Sequence, residues 1–469
     1  MKINIHPKLT AFVLLALLLT IGASTAEAQE EQPLYPVYIV QPGDNLLAVA
    51  GRFGVSLTDL ANANGISNIN IVNVGDELLI PGLDGIQGRL VTQKVDYGET
   101  LRSLSRRYQV PVDVLAYLNH ITSPMELFAG SNLIVLEKEL PEQPGQRASL
   151  KQGQSLLELA ILQGTDHWTL ASMNYLKGTW DAVPGDVLRL PVSGSGGPGS
   201  LPGEITQVEV TPLPFVQGKT SVIRLQADQP LTLQGEWMDR SLNFFRQEDG
   251  SYLAIQGVHA MLTPGAYPLT LSGQLEDGTP FGFTQLVQVN NGEYLYEEIP
   301  GVDPVTLDPA VNKPEDEQWK ALVEPVTMER LWEGPFLFPS PAHFYDCWPS
   351  TFGRRRSYNQ SGYFYFHTGL DVCGQVGTEV YSPAAGEVVF MGEMIVRGNA
   401  LMINHGWGIY SGYMHLSEIL VNIGDLVEPG QLIAKVGDTG RVTGPHLHWE
   451  IWAGGVQVDP MDWMDQEYP

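Results

Sequence analysis

The chain has 469 residues, enough for three or more domains with cores of their own. Its 53 acidic side chains against 26 basic ones give a net charge of -27, which repels nucleic-acid phosphates and offers no attraction to anionic polymers. No nucleic-acid partner is expected, and any polymer must be held by specific contacts.

Residues 1–28 read as an export signal. Lys2 and Lys8 precede an apolar stretch from Leu9 to Ile21, and Ala26-Glu27-Ala28 puts small residues around a cleavage point after Ala28. The stretch is short for a membrane span, and no cysteine stands nearby to carry a lipid. An exported, extracytoplasmic protein is expected.

Three copies of one unit follow at a fixed offset of 55 residues. Gly43, Gly98 and Gly153 align, as do Leu46, Leu101 and Leu156, then Leu60, Leu115 and Leu170. Asn64, Asn119 and Asn174, and Gly75, Gly130 and Gly185, keep the same offset. Each copy opens on a β-type run such as Val37–Val40, passes through helical spacing such as Leu46, Val49, Ala50 and Phe53, and closes on a run such as Glu77–Ile80. The stretches Gly43–Leu46 and Val74–Pro81 resemble a LysM module. That resemblance implies a βααβ fold binding N-acetylglucosamine-containing glycans, with modules at 35–82, 91–137 and 148–192. The second copy has Ser131 and Leu136 for Asp76 and Pro81, and the third has Gln163 for Phe53, so glycan binding and a spacer role both stay open for these two.

A Gly/Ser/Pro stretch at 193–203 reads as a flexible linker. Short β-type runs, among them Thr206–Val210, Ser221–Leu225 and Leu286–Val289, predict an antiparallel sandwich-like domain over 204–295, with His259 structural. Residues 296–333 are Pro-rich and acidic, then turn helical from Glu315 to Trp332. They are expected to be a connector rather than a cover over a site.

The segment 334–469 concentrates the chemistry. Six of the ten histidines fall there: His343, His367, His405, His415, His446 and His448. His367 and Asp371 flank Gly369, which suggests a bent strand or loop edge rather than a helix. His446 and His448 would share one face of a strand. Imidazole nitrogen and carboxylate oxygen suit zinc, and a catalytic zinc keeps three protein ligands and one open position. No His-Glu-x-x-His helix occurs, so a proton acceptor must come from elsewhere. Glu450, on the His448 face, is expected to orient a histidine, and His405 in its Asn-His-Gly turn to be structural. Apolar runs at Val388–Phe390, Leu401–Ile403 and Leu432–Val436 predict strands, and Gly424, Gly430, Gly437, Gly440 and Gly444 predict turns of positive φ. The two cysteines, Cys347 and Cys373, are expected to form a disulfide in an exported chain; the rivals are Cys373 as a soft metal ligand and two free thiols.

In order and spacing, Ser350–Arg355, Phe366–Val372, Tyr413–Ser417, Gly437–Gly440 and Thr443–Glu450 resemble the lysostaphin-type, or LytM-type, zinc endopeptidases of bacterial cell walls. The resemblance implies a mostly antiparallel β domain with zinc held by His367, Asp371 and His448. It implies His415 and His446 as catalytic histidines that help activate a water for attack on a peptide carbonyl. The expectation is a multidomain chain of three LysM-like modules, a sandwich-like domain and a peptidase domain at 334–469. It would act, cell-wall associated or periplasmic, as a Zn2+-dependent endopeptidase on cross-link or stem peptides of peptidoglycan. The runner-up is a fold-retaining activator of another wall hydrolase.

Overall fold

The computed structural model describes residues 35–137, 145–193, 197–362 and 364–469; the expected export signal lies outside them. The chain divides into two compact units, one reaching Val91 and one starting at Thr92.

In the first unit the strand Val37–Ile39 runs antiparallel to Glu77–Leu79, with helices Leu46–Phe53 and Leu57–Ala63 between them. The first helix begins where Asn45 accepts a bond from Ala48 N–H, and ends at Gly54, whose φ of 66° only glycine adopts without strain. Its Leu46, Val49, Ala50 and Phe53 are buried, and Phe53 meets Tyr38 edge-on at 5.2 Å. Asn64 explains one repeated position. Its amide donates to Leu60 O (2.9 Å) and Leu79 O (2.8 Å) and its oxygen accepts from Leu79 N (2.7 Å), pinning the second helix to the closing strand.

The same three bonds recur in the second unit, from Asn119 to Leu115 and Ile134 and from Asn174 to Leu170 and Arg189. The second copy contributes helices Leu101–Tyr108 and Val112–Leu118 and the strand Asn132–Leu136. The third pairs Gly145–Ser149 with Val187–Ser193 around helices Leu156–Leu162 and His167–Met173. Beyond them lie two sheets. One orders Arg240–Leu242, Thr232–Trp237, Gly265–Gln274, Pro280–Asn290 and Phe215–Val216; the other orders Phe245–Arg246, Tyr252–Gly257, Thr220–Ala227 and Ile205–Thr211. They share a core that includes Ile223, Leu225, Trp237, Leu269, Leu271 and Val287.

Two sequence expectations need correction. The described part of the expected flexible linker is held fast: Pro198 and Leu201 are buried, and the buried Arg147 guanidinium donates to the carbonyls of both. The helical segment of the connector is Pro309–Ala321, not Glu315 to Trp332. Pro309 at its first turn has no N–H to leave unsatisfied, and Asp308 caps it through Ala310 N–H. Beyond it the chain is irregular, and Trp332 is buried beside Trp407 and Trp463.

A nine-stranded sheet forms the C-terminal region. Its main path runs Leu370–Cys373, His446–Ala453, Ile409–Ile419, Gly398–Gly406, Gly386–Met394 and Leu426–Val427. The central strands are buried on both faces because the sandwich sheet, the helix Pro309–Ala321 and the C-terminal helix Pro460–Asp465 cover them. Phe245 of the sandwich stacks on Trp407 at 4.5 Å, and Lys219 pairs with Asp462 at 2.7 Å. Each fully buried large apolar side chain contributes roughly 2–3 kcal/mol, so the Trp332, Trp449 and Trp463 positions anchor this core. Of the five glycines expected at positive φ, Gly424, Gly430 and Gly440 have it. Gly437 does not; it lies against the backbone of Leu416 and Ser417, where a Cβ has no room. Gly444 shows neither constraint.

Candidate metal centre and active site

Strand register brings the motifs together. Asp371 and His448 are direct cross-strand partners between Leu370–Cys373 and His446–Ala453, and Met414, next to His415, pairs with His448 from the other side. His367 sits on the short bend between Tyr365–Phe366 and Leu370–Cys373, as the glycine-containing spacing suggested. Gly369 there packs onto the Trp449 carbonyl, too close for any Cβ. Cys347 and Cys373 are joined in a disulfide, so Cys373 is not a metal ligand.

The hydrogen-bond pattern assigns the imidazole tautomers. His367 Nδ1–H donates to the Thr351 carbonyl at 2.8 Å, which leaves Nε2 a lone pair. His448 directs Nε2–H toward Glu450 Oε1 (3.4 Å) and Thr368 Oγ1 (3.3 Å), which leaves Nδ1 a lone pair. His367 Nε2, His448 Nδ1 and Asp371 Oδ1 then lie 2.9, 3.0 and 2.8 Å from one another. Three lone pairs that close repel unless a cation sits among them. A tetrahedral ion with bonds of about 2 Å holds neighbouring ligand atoms about 3.3 Å apart, close to this spacing. The His367, Asp371 and His448 donors fit a metal ion.

Charge favours one too. Burial alone would raise the Asp371 carboxyl, but the facing His367 and His448 imidazoles hold it well below the usual carboxylate range. Burial pushes His367 down to about 4. In His448 burial also acts downward, yet the nearby Asp371 and Glu450 carboxylates raise its pKa, so positive charge is favoured at this point. The second Asp371 oxygen is held by Arg356 at 3.2 Å, and Arg356 is itself held by Glu297 (3.2 Å) and Ser350 (2.9 Å).

Glu450 is fully buried beneath His448. Burial would raise its pKa, but the His448 hydrogen bond and charge bring it down to about 2. It also accepts from Trp452 Nε1 (2.8 Å), Trp319 Nε1 (3.0 Å) and Gln457 Nε2 (3.0 Å).

Two further imidazoles face the cluster. His415 Nδ1–H donates to Thr439 O and His446 Nδ1–H to Gly444 O, both at 2.8 Å, so each keeps Nε2 free. Their ring centroids are 5.0 Å apart, and His446 Nε2 lies 3.5 Å from Asp371 Oδ1. Burial, helped by the charges of His446 and His448, pushes His415 down to about 3, so it is neutral at neutral pH. His415 also has φ of 63°, a left-handed conformation that costs a non-glycine residue about 1–3 kcal/mol. Among the described residues, the other histidines lie outside the cluster. His405 bridges Ala385 O (2.7 Å) and Ser411 Oγ (2.8 Å) inside the core, and His259 accepts from Met261 N at 3.1 Å. His343 is exposed.

Arg356, Thr439 and Trp319 were missed by sequence reasoning. The run Arg354–Arg356, in so acidic a chain, was the signal available for the first.

Comparison with known proteins agrees with this geometry. The model of peptidase family M23 matches residues 365–460, the stretch holding all five site residues, and the LysM domain model matches 38–81 and 94–135. The chain carries an M23 peptidase domain and LysM domains. Among curated relatives, the M23-bearing chain is similar to peptidoglycan DD-endopeptidase ShyB of Vibrio cholerae serotype O1, 40% identical over 112 residues that cover 24% of this chain and 26% of ShyB. It is 44% identical to ShyA of the same organism over 95 residues, 20% of this chain and 22% of ShyA. DD-carboxypeptidase/endopeptidase Mpg of Neisseria meningitidis serogroup B is 43% identical over 95 residues, again 20% and 22%. The match spans about a quarter of the length of these relatives.

Proposed function

We propose that the protein is an exported peptidoglycan hydrolase, a zinc-dependent endopeptidase that cuts cross-link or stem peptides of the bacterial cell wall while LysM modules hold it to glycan. In this reading His367, Asp371 and His448 bind zinc, His415 and His446 act on the substrate, and residues 334–469 are the peptidase domain. The observation that carries it is the convergence of three lone pairs at 2.8–3.0 Å beside two imidazoles with free Nε2 atoms. The names of the relatives, peptidoglycan DD-endopeptidases, support the substrate class.

Bound there, zinc polarises the scissile carbonyl and lowers the pKa of a water to about 7. Hydrolysis adds the water oxygen to the carbonyl carbon and breaks the C–N bond; the water gives up a proton and the departing amine takes one. His415 and His446 serve that transfer. Each has Nδ1–H tied to a backbone carbonyl, so its ring cannot turn away and only Nε2 is presented. The neutral state of His415 supplies a lone pair at neutral pH. Arg356 fixes which Asp371 oxygen faces the cation, and Glu450 fixes the proton on the far nitrogen of His448.

Purified protein should hold close to one zinc per chain and release soluble fragments from peptidoglycan, and His448→Ala should lose both properties. A metal-free, inactive wild type would instead favour the activator reading.

A further inference from the structure

We infer that the helix Pro309–Ala321, which precedes the peptidase domain in sequence, is a working part of the hydrolytic site, with Trp319 positioning His448 and Glu315 positioning His415. The inference rests on the metallopeptidase reading above.

Glu315 and Trp319 are one turn apart on the same helix face, and both are buried against the back of the sheet. Trp319 is fully buried among Met394, Met402, Tyr410 and Trp452. Its indole N–H leaves this apolar surrounding at one point only, donating at 3.0 Å to Glu450 Oε2. Glu450 Oε1 faces His448 Nε2. A buried carboxylate short of a donor would shift to recover one, and the bond from Trp319, together with that from Trp452 Nε1 at 2.8 Å, holds Oε2 away so that Oε1 stays under the imidazole. The proton on His448 Nε2, and with it the lone pair on Nδ1, depends on that orientation.

Glu315 acts on the other side. Its carboxylate accepts from Val396 N (2.8 Å), Arg397 N (3.0 Å) and the Arg397 guanidinium (2.9 Å). Arg397 also lies over the Trp319 ring at 5.2 Å, so the two contacts brace each other. This fixes the turn whose Arg397 carbonyl accepts from His415 N–H at 2.9 Å. His415 is the residue held at φ of 63°. A left-handed histidine keeps that conformation only where its surroundings over-determine it, and the Glu315-clamped turn is one hold, with Thr439 O on the ring another. A plain connector would need neither buried polar contact; apolar packing of Trp319 and Val323 would do.

The test uses the full chain with Trp319→Phe, Glu315→Gln and, as a packing control in the same cluster, Val323→Ala. Trp319→Phe keeps a ring in the cluster and removes the donor; zinc affinity should fall about tenfold, with turnover regained at saturating zinc. Glu315→Gln should keep wild-type zinc affinity and lose about tenfold in kcat with KM within twofold. Val323→Ala should lower the unfolding temperature and leave zinc affinity and kcat alone. If Trp319→Phe does not fold, Glu315→Gln decides. Folded variants with wild-type affinity and kcat overturn the inference, as does a Val323→Ala protein that loses as much zinc affinity as Trp319→Phe. A wild type that neither holds zinc nor cleaves overturns the functional reading itself, a separate result.

Discussion

Replacing Glu450 by glutamine probes the metal site with almost no change of volume. Each Glu450 oxygen takes two donors: Oε2 the indoles of Trp319 and Trp452, Oε1 the amide of Gln457 and the Nε2–H of His448. Glutamine has one acceptor oxygen. If it stays with the indoles, its NH2 group confronts two donors, and the cheapest escape moves the His448 proton from Nε2 to Nδ1. Nδ1 is the atom 2.8 Å from Asp371 Oδ1, where the proposed zinc bond would form, so the cation would then compete with a proton. Loss of such an orienting partner costs about 10–100-fold in metal affinity, or about 1.4–2.7 kcal/mol. A stranded buried donor costs the metal-free fold about 1–3 kcal/mol more. Competition with a chromogenic chelator measures the first, and thermal unfolding of metal-free protein the second. Zinc affinity within twofold of wild type, with unchanged stability, would refute the reasoning.

Two further outcomes follow from buried groups. Burial pushes His405 from 6.5 to about 4. A depressed histidine pKa means the unfolded chain binds a proton that the folded one refuses, so its stabilising share is full above pH 6.5 and is lost as pH falls toward 4, by about 3 kcal/mol. Between those pH values His405→Gln should show a shallower loss of stability than wild type in urea titrations of metal-loaded protein; an identical slope would exclude His405 as the source. The Cys347–Cys373 disulfide closes a separation of 26 residues and ties the segment before Ser350 to the strand bearing Asp371. The double serine variant should lose about 3 kcal/mol in denaturant unfolding, and reductant should do the same to wild type but not to the variant.

Much of this protein is legible in one dimension. Repeats at a fixed offset are visible because repeated residues can answer the same local need, as Asn64, Asn119 and Asn174 do by pinning helix to strand. His446 and His448 are recognisable for a similar reason, since a strand sets which neighbours share a face, while His367 and Asp371 are recognisable by a glycine-containing spacing that fits a bend leading into a strand.

Tertiary structure decided the rest. The three repeats look alike in sequence, yet the turn at Gly98 is buried against Pro198, with Gly98 N–H on Gln285, while Gly43 and Gly153 have open space. Identical local signals thus served different surroundings, which no repeat pattern encodes. The stretch 197–203 reads as a loose linker because glycine and proline dominate it, and it is fixed by Arg147, more than fifty residues away. Glu450 was suspected from its strand position, but its partner Trp319 lies 131 residues earlier on a helix expected to be a connector. Short-range periodicity reports what the backbone needs within a few residues. Which nitrogen of His448 carries its proton, and what holds His415 in its left-handed turn, depend on contacts between segments brought together only when the sheet closes.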